Sequence, residues 1–236
     1  MRAVWKREMQ NYFVTPIGYV FMGFFLLVGG LLFFFSNLAT GSGNIANLLA
    51  QFVTILMFLA PVLTMRLFSE ERKNESEQLL FTSPLPLTAI VVGKYLAAVS
   101  VFFFTIVGTW LYVLIVAAYG QVYLGETLTA YLGFFLIGCC YIAVGLMVSS
   151  MTENQVSAAV AAFGLNFLIW IIDSLVRVIP VPFVSAVLEW LSLNKRYNMF
   201  ILSQLGLSGI LYFLSFCAVF LFLTVRVIDK RRWGEG

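Results

Sequence analysis

The sequence predicts an all-α integral membrane protein. It has six transmembrane helices, an amphipathic amino-terminal helix in the interface, a cytoplasmic helix between spans two and three, and broken or re-entrant outer helices between spans five and six. Three observations carry this. Of 236 residues, 61% are hydrophobic and 11% charged, with a mean hydropathy of +0.97, against about 45–50% and about 25% in globular proteins. The apolar residues fall in runs of about 20, the length that crosses a bilayer as a helix. Lysine and arginine also fall largely on one side once the spans are threaded.

Residues 1–15 come first. Trp5, Met9, Tyr12 and Phe13 recur at i, i+4, i+7 and i+8, while Arg2, Lys6, Arg7 and Gln10 occupy much of the rest. That is an interfacial amphipathic helix. Pro16 suits a first helical turn, and 17–37 reads as span one, too long for a cleaved leader's core of about 7–15 residues. Thr40 to Asn44 ends it. Span two covers 47–67, with a kink expected at Pro61.

Six charges then fall between Arg66 and Glu75, and a charge at the bilayer centre costs about 2.5–3.5 kcal/mol even on lenient scales. Residues 68–88 must therefore lie in water. Ser83-Pro-Leu-Pro86 breaks any helix, and Thr88 is placed to cap span three, 89–119. Lys94 is expected to snorkel from that span to the interface. Span four covers 128–151, span five 156–178 and span six 208–225. Residues 183–207 are apolar but interrupted by Glu189, Asn194, Lys195, Arg196 and Asn198. Their apolar pieces are too short to cross, which predicts an outer, re-entrant segment.

With six spans and both termini inside, the cytoplasmic side holds Arg2, Lys6, Arg7, Arg66, Arg72, Lys73, Lys94, Arg226, Lys230, Arg231 and Arg232. The outside holds Arg177, Lys195 and Arg196. Eleven against three obeys the positive-inside rule, and a five-span threading spoils it.

Composition also excludes chemistry. The chain has no histidine, which removes His-based metal sites and every Ser-His or Cys-His nucleophile. Cys139, Cys140 and Cys217 lie in apolar runs without metal spacing or a disulfide framework. No phosphate-binding Gly-rich loop ending in Lys-Ser/Thr occurs, so any nucleotide must be bound by another chain. An ion-coupled secondary transporter needs midplane carboxylates, and Asp173 is the only acid well inside a span. A membrane-embedded enzyme lacks obvious catalytic groups.

Two sets of residues stand out. Asp173 and Arg177, four apart near the outer end of span five, can pair on one helix face and read as a structural ion pair. The charged segment supplies Glu70, Glu71, Arg72, Lys73, Asn74, Glu75, Glu77, Gln78, Leu79, Leu80 and Phe81. A bare tether has no need of Leu79, Leu80 and Phe81, so a short docking helix is favoured there. Ala158 with Ala162, and Gly138 with Gly145, mark small faces on which helices pack closely, within one chain or between two. The phenylalanine runs at 24–25, 33–35 and 102–104 read mostly as lipid-facing.

Phe68-Ser-Glu-Glu-Arg-Lys73, Glu77-Gln-Leu-Leu80, Thr82-Ser-Pro-Leu85 and Gly93-Lys94 resemble the pattern after the second span of ABC-2 type ABC transporter permeases. The closest likeness is to the branch of the gliding-motility and nitrous-oxide-reductase-maturation permeases. Glu75-Ser76 departs from the Gly-Thr of many relatives. The resemblance implies a non-catalytic subunit of the bacterial plasma membrane, with a coupling helix at about 74–81 docking on a cytoplasmic ABC ATPase present in two copies. It also implies a second permease half, making a homodimer, with an accessory extracytoplasmic protein as a further partner. Membrane lipid surrounds such a subunit, and no nucleic acid is involved. This chain then binds no cofactor; ATP and Mg belong to the ATPase. A mechanical or regulatory ABC complex that moves no solute fits the sequence equally.

Overall fold

The computed structural model describes residues 1–73, 86–178, 192–204 and 206–234, with the side chains of 173–178 and 232–234 outside the description. The helices are α1 (Arg2–Val14), α2 (Pro16–Phe33), α3 (Ile45–Thr64), α4 (Arg66–Lys73), α5 (Leu87–Tyr119), α6 (Leu124–Met151), α7 (Gln155–Val178), α8 (Leu193–Ile201) and α9 (Leu207–Gly234). A π turn, Phe34–Leu38, closes α2, and no strand occurs among the described residues. Six stretches are long and apolar enough to cross a membrane: Pro16–Leu38, Ile45–Lys73, Leu87–Tyr119, Leu124–Met151, Gln155–Ile172 and Leu207–Arg231.

Local chemistry sets most helix starts. Pro16 stands in the first turn of α2, where its missing N–H costs nothing. The Asn44 side chain accepts from the Asn47 amide at 2.9 Å and caps α3. Pro86, with its fixed φ, is the N-cap of α5, so Thr88 lies inside the first turn rather than at its cap. Helix α3 runs through Pro61 and breaks at Met65, whose amide donates to the Pro61 carbonyl at 2.8 Å.

That break is capped from another helix. The Ser149 hydroxyl of α6 accepts from the amides of Phe68 (3.1 Å) and Ser69 (3.3 Å) and donates to the Met65 carbonyl (3.1 Å). The first amides of a helix have no partner within it. Here α6 supplies one and ties the start of α4 to itself.

Helix α6 is the axis of the bundle. In its most apolar window 83% of residues are buried, against 17% in α7 and in α9. Glycines make this burial geometrically feasible. A Cβ at Gly138 would overlap Phe102 of α5 and Leu56 of α3, one at Gly145 would overlap Thr64, and one at Gly133 would meet Phe200 of α8. The small faces on α6 thus serve packing within the chain. On α7, Ala158 and Ala162 are buried as well.

Each phenylalanine run divides between core and surroundings. Phe25, Phe33 and Phe102 are buried, whereas Phe24, Phe34, Phe35, Phe103 and Phe104 are exposed. Phe25, Phe52, Phe102 and Phe134 form one aromatic cluster with centroids 5.4–6.2 Å apart, the offset and edge contacts that aromatic pairs prefer.

The two ends of the bundle differ. At one end the 39–44 and 120–123 connections meet over a hollow of about 270 Å³ lined by Ser42, Asn44, Gln121, Glu126 and their neighbours. Thr129 of α6 meets Ser203 there at 3.4 Å, and α9 then descends beside α6, with Cys140 and Cys217 3.6 Å apart between their sulfurs. The other end gathers α1, α4, the start of α5, the 152–154 turn and the last turns of α9. Helix α9 outruns its expected end at 225, so Arg226 and Lys230 sit on the helix itself.

Within the expected outer segment, 183–191 and residue 205 lie outside the described residues. The described part holds α8, capped by the Ser192 hydroxyl on the Lys195 amide at 3.0 Å. Leu193, Tyr197 and Phe200 are buried, so α8 is seated on α6.

Candidate functional site at the charged end

At the charged end the structure brings together groups that lie far apart in sequence. Lys94, two turns into α5, is 1% exposed. Its ammonium is 2.9 Å from Glu8 Oε1 of α1 and 2.8 Å from Glu71 Oε1 of α4, and it donates to the Leu67 carbonyl at 2.7 Å. Three acceptors meet its three N–H donors, and the Phe68 ring lies 5.1 Å away. The expected snorkelling does not occur. Two carboxylates and a carbonyl in the first turn of α4 hold the lysine inside the protein, as a buried charge requires.

The sequence builds this locally. Val4, Glu8 and Tyr12 recur at i, i+4 and i+8 and so share one face of α1. Gly93 lets that face approach: a Cβ there would sit 3.0 Å from the Val4 side chain. Gly93 thus makes room for α1, and Lys94 beside it grips Glu8. Trp5 Nε1 donates to Ser100 Oγ of α5 at 3.0 Å. The Tyr12 hydroxyl donates to the Leu63 carbonyl at 2.7 Å, satisfying an α3 carbonyl just before the break. Burial first, and Glu8 second, push the Tyr12 phenol well above its ordinary value, so it remains a donor. Helix α1 is packed on α5 and α2 by this face.

Most charges of α4 are paired. Arg66 chelates Glu70 through two contacts of 2.6 Å. Arg72 meets Glu153, in the α6–α7 turn, at 2.5 Å and donates to the Met151 carbonyl at 3.2 Å. Lys73 is exposed. Glu71 Oε2 is buried and unpartnered. A hollow of about 30 Å³ beside Glu8, Tyr12 and Arg66 has the volume of about one water.

Of the expected docking residues, Glu70, Glu71, Arg72 and Lys73 form the last turn of α4. Asn74, Glu75, Glu77, Gln78, Leu79, Leu80 and Phe81 lie outside the described residues, and so do the side chains of Asp173 and Arg177 on α7. Sequence reasoning missed the Glu8–Lys94 contact and the Ser149 cap. The available signal for the first was an acid on the apolar stripe of α1 and a lysine two turns inside an apolar helix. Among the described residues no group of three or more His, Cys, Asp or Glu is placed to hold a metal ion.

The arrangement can bind α1, α4 and α5 into one unit around the mouth of the 74–85 connection. No curated protein matches the chain. The family model for the ABC-2 family transporter proteins matches residues 36–228, and the chain, a multi-pass membrane protein by its six apolar helices, belongs to that family.

Proposed function

We propose that the chain is the membrane-spanning half of an ABC-2 exporter, coupling ATP hydrolysis on a separate cytoplasmic ATPase to movement of a substrate across a bacterial plasma membrane. The observation that carries this reading is the connection between α4 and α5 in a family-matched bundle. It is a twelve-residue polar and apolar segment, 74–85, leaving the end where positive charge collects. Positive-inside topology makes that end cytoplasmic, with both termini there.

In this reading Lys73 and residues 74–81 meet the ATPase, while Glu70, Glu71 and Arg72 brace the helix that presents them. Two ATPase subunits and a second copy of this chain complete the assembly, and ATP and Mg belong to the ATPase. The motif likeness favours the gliding-motility and nitrous-oxide-reductase-maturation branch. A chain without a nucleotide loop needs such a partner to be energised.

The test is purification from native membranes, with bound subunits identified by mass spectrometry. A P-loop ATPase is expected with the wild-type chain, and Glu75→Lys with Glu77→Lys is expected to deplete it about tenfold, since like-charge juxtaposition in an interface costs several kcal/mol. A wild-type chain without an ATPase, or a complex unaffected by the double reversal, overturns the reading.

A further inference from the structure

The ammonium of Lys94 is shared by elements that the chain visits far apart. Glu8 belongs to α1, Glu71 and the Leu67 carbonyl to α4, and Lys94 to α5. Glu71 lies in the last turn before the 74–85 connection and Lys94 two turns after it. Both ends of the connection therefore lead into one ammonium. Helix α1 packs on α5 and α2, and among the described residues its hydrogen-bonded tie to α4 runs through that same group.

Charge balance separates this from ordinary packing. Two carboxylates face one ammonium, and Glu71 Oε2 is left without a donor. Well-packed apolar residues often stabilise a fold as well as a buried ion cluster does. A bare need for burial therefore gives no reason for three ionisable side chains here. A need to hold three helices in one register does.

We propose that Lys94 is a positioning residue that locks α1 to α4 and α5, so that movement imposed on the 74–85 segment is carried into the amino-terminal helix as well as into the spans it joins. This rests on the permease reading. The amino-terminal helix then acts as a moving part of the transmission. Glu8 is its handle.

Glu8→Leu is the cleanest probe, because it removes the hydrogen-bonded tie between α1 and α4 while leaving Lys94 and Glu71 paired one to one. Spin labels at Gln10, which is exposed, and at Met65, half-buried at the head of α4 and away from the docking residues, report the α1–α4 distance in nanodiscs. The measurement is made on the permease alone and on its complex with the co-purified ATPase under MgATP. The wild type is expected to give one narrow distribution that shifts on nucleotide binding. In Glu8→Leu the ATPase stays bound at the wild-type level, the distribution at least doubles in width, and permease stimulation of ATP hydrolysis falls roughly tenfold.

A wild-type distance distribution together with wild-type stimulation in Glu8→Leu overturns the proposal. Should that variant not reach the membrane folded, Lys94→Arg, which keeps the charge but changes the donor geometry, is read in its place: a shifted α1–α4 distance with reduced stimulation supports the lock, and wild-type values for both overturn it. If no ATPase accompanies the wild-type chain, the permease reading falls. The distance measured on the chain alone still decides whether α1 and α4 are locked.

Discussion

The middle of the bundle and its charged end are held together in opposite ways. Around Gly138 and Gly145 of α6, cohesion comes from backbone proximity and interlocking aromatic rings. Around Lys94 it comes from a few charged contacts among three helices. Close packing has one good arrangement and resists graded change. Charged contacts can be exchanged for others of similar energy. The first kind suits a part that moves as a rigid body, and the second suits a joint.

The largest effect should come from breaking the joint by half. Lys94→Met leaves Glu8 and Glu71 buried without their cation, a loss of about 3–5 kcal/mol that lowers the melting midpoint in detergent by roughly 10 °C. Glu8→Gln and Glu71→Gln added to Lys94→Met should restore most of this, because no uncompensated charge remains. Thermal melting of the single and triple variants checks both. A triple variant as unstable as the single one would mean that the site is held by packing, and the contrast with α6 would collapse.

Gly138→Leu tests the other half. The new side chain must displace Phe102 and Leu56, which costs about 1–3 kcal/mol of overpacking, read in the same melt. Charge changes cannot relieve this. Phe102→Leu in the same protein should, by returning volume to the α5 side, and lack of any rescue would place the strain elsewhere.

The fold was legible because lipid writes a strong signal. Six apolar runs reflect a large transfer energy, and the six helices follow them; Pro16, with its fixed φ, starts α2 as its position predicts. Details decided by one hydrogen bond were less legible. Thr88 lost the cap of α5 to Pro86, and α3 is interrupted at Met65, where Ser149 from another helix supplies the cap. No pattern within 45–73 encodes a hydroxyl at 149. Lys94 was misread for a related reason. Snorkelling is the cheaper course for a lysine in lipid alone, and a partner 86 residues away on α1 is invisible to any local window. The division of the phenylalanine runs was likewise set by contacts with distant helices: Phe25 and Phe102 meet Phe134 of α6, and Phe33 stacks on Tyr112 of α5.

The smallest effect concerns Arg72 and Glu153, and it limits how far charge alone explains the joint. At 2.5 Å this pair has a shorter contact than either ion pair of Lys94, yet its side chains are 26% and 64% exposed, against 1% for Lys94. Water screens it, and an exposed pair is worth about 0.2–1 kcal/mol. A double-mutant cycle with Arg72→Ala and Glu153→Ala should give a coupling energy within that range. The coupling should vanish in about 1 M salt, where the screening length is about 3 Å. The destabilisation caused by Lys94→Met should persist in the same salt, because its carboxylates lie away from the ions. Equal salt sensitivity at the two places would mean that water reaches Lys94, and the joint would then be no more than a surface contact.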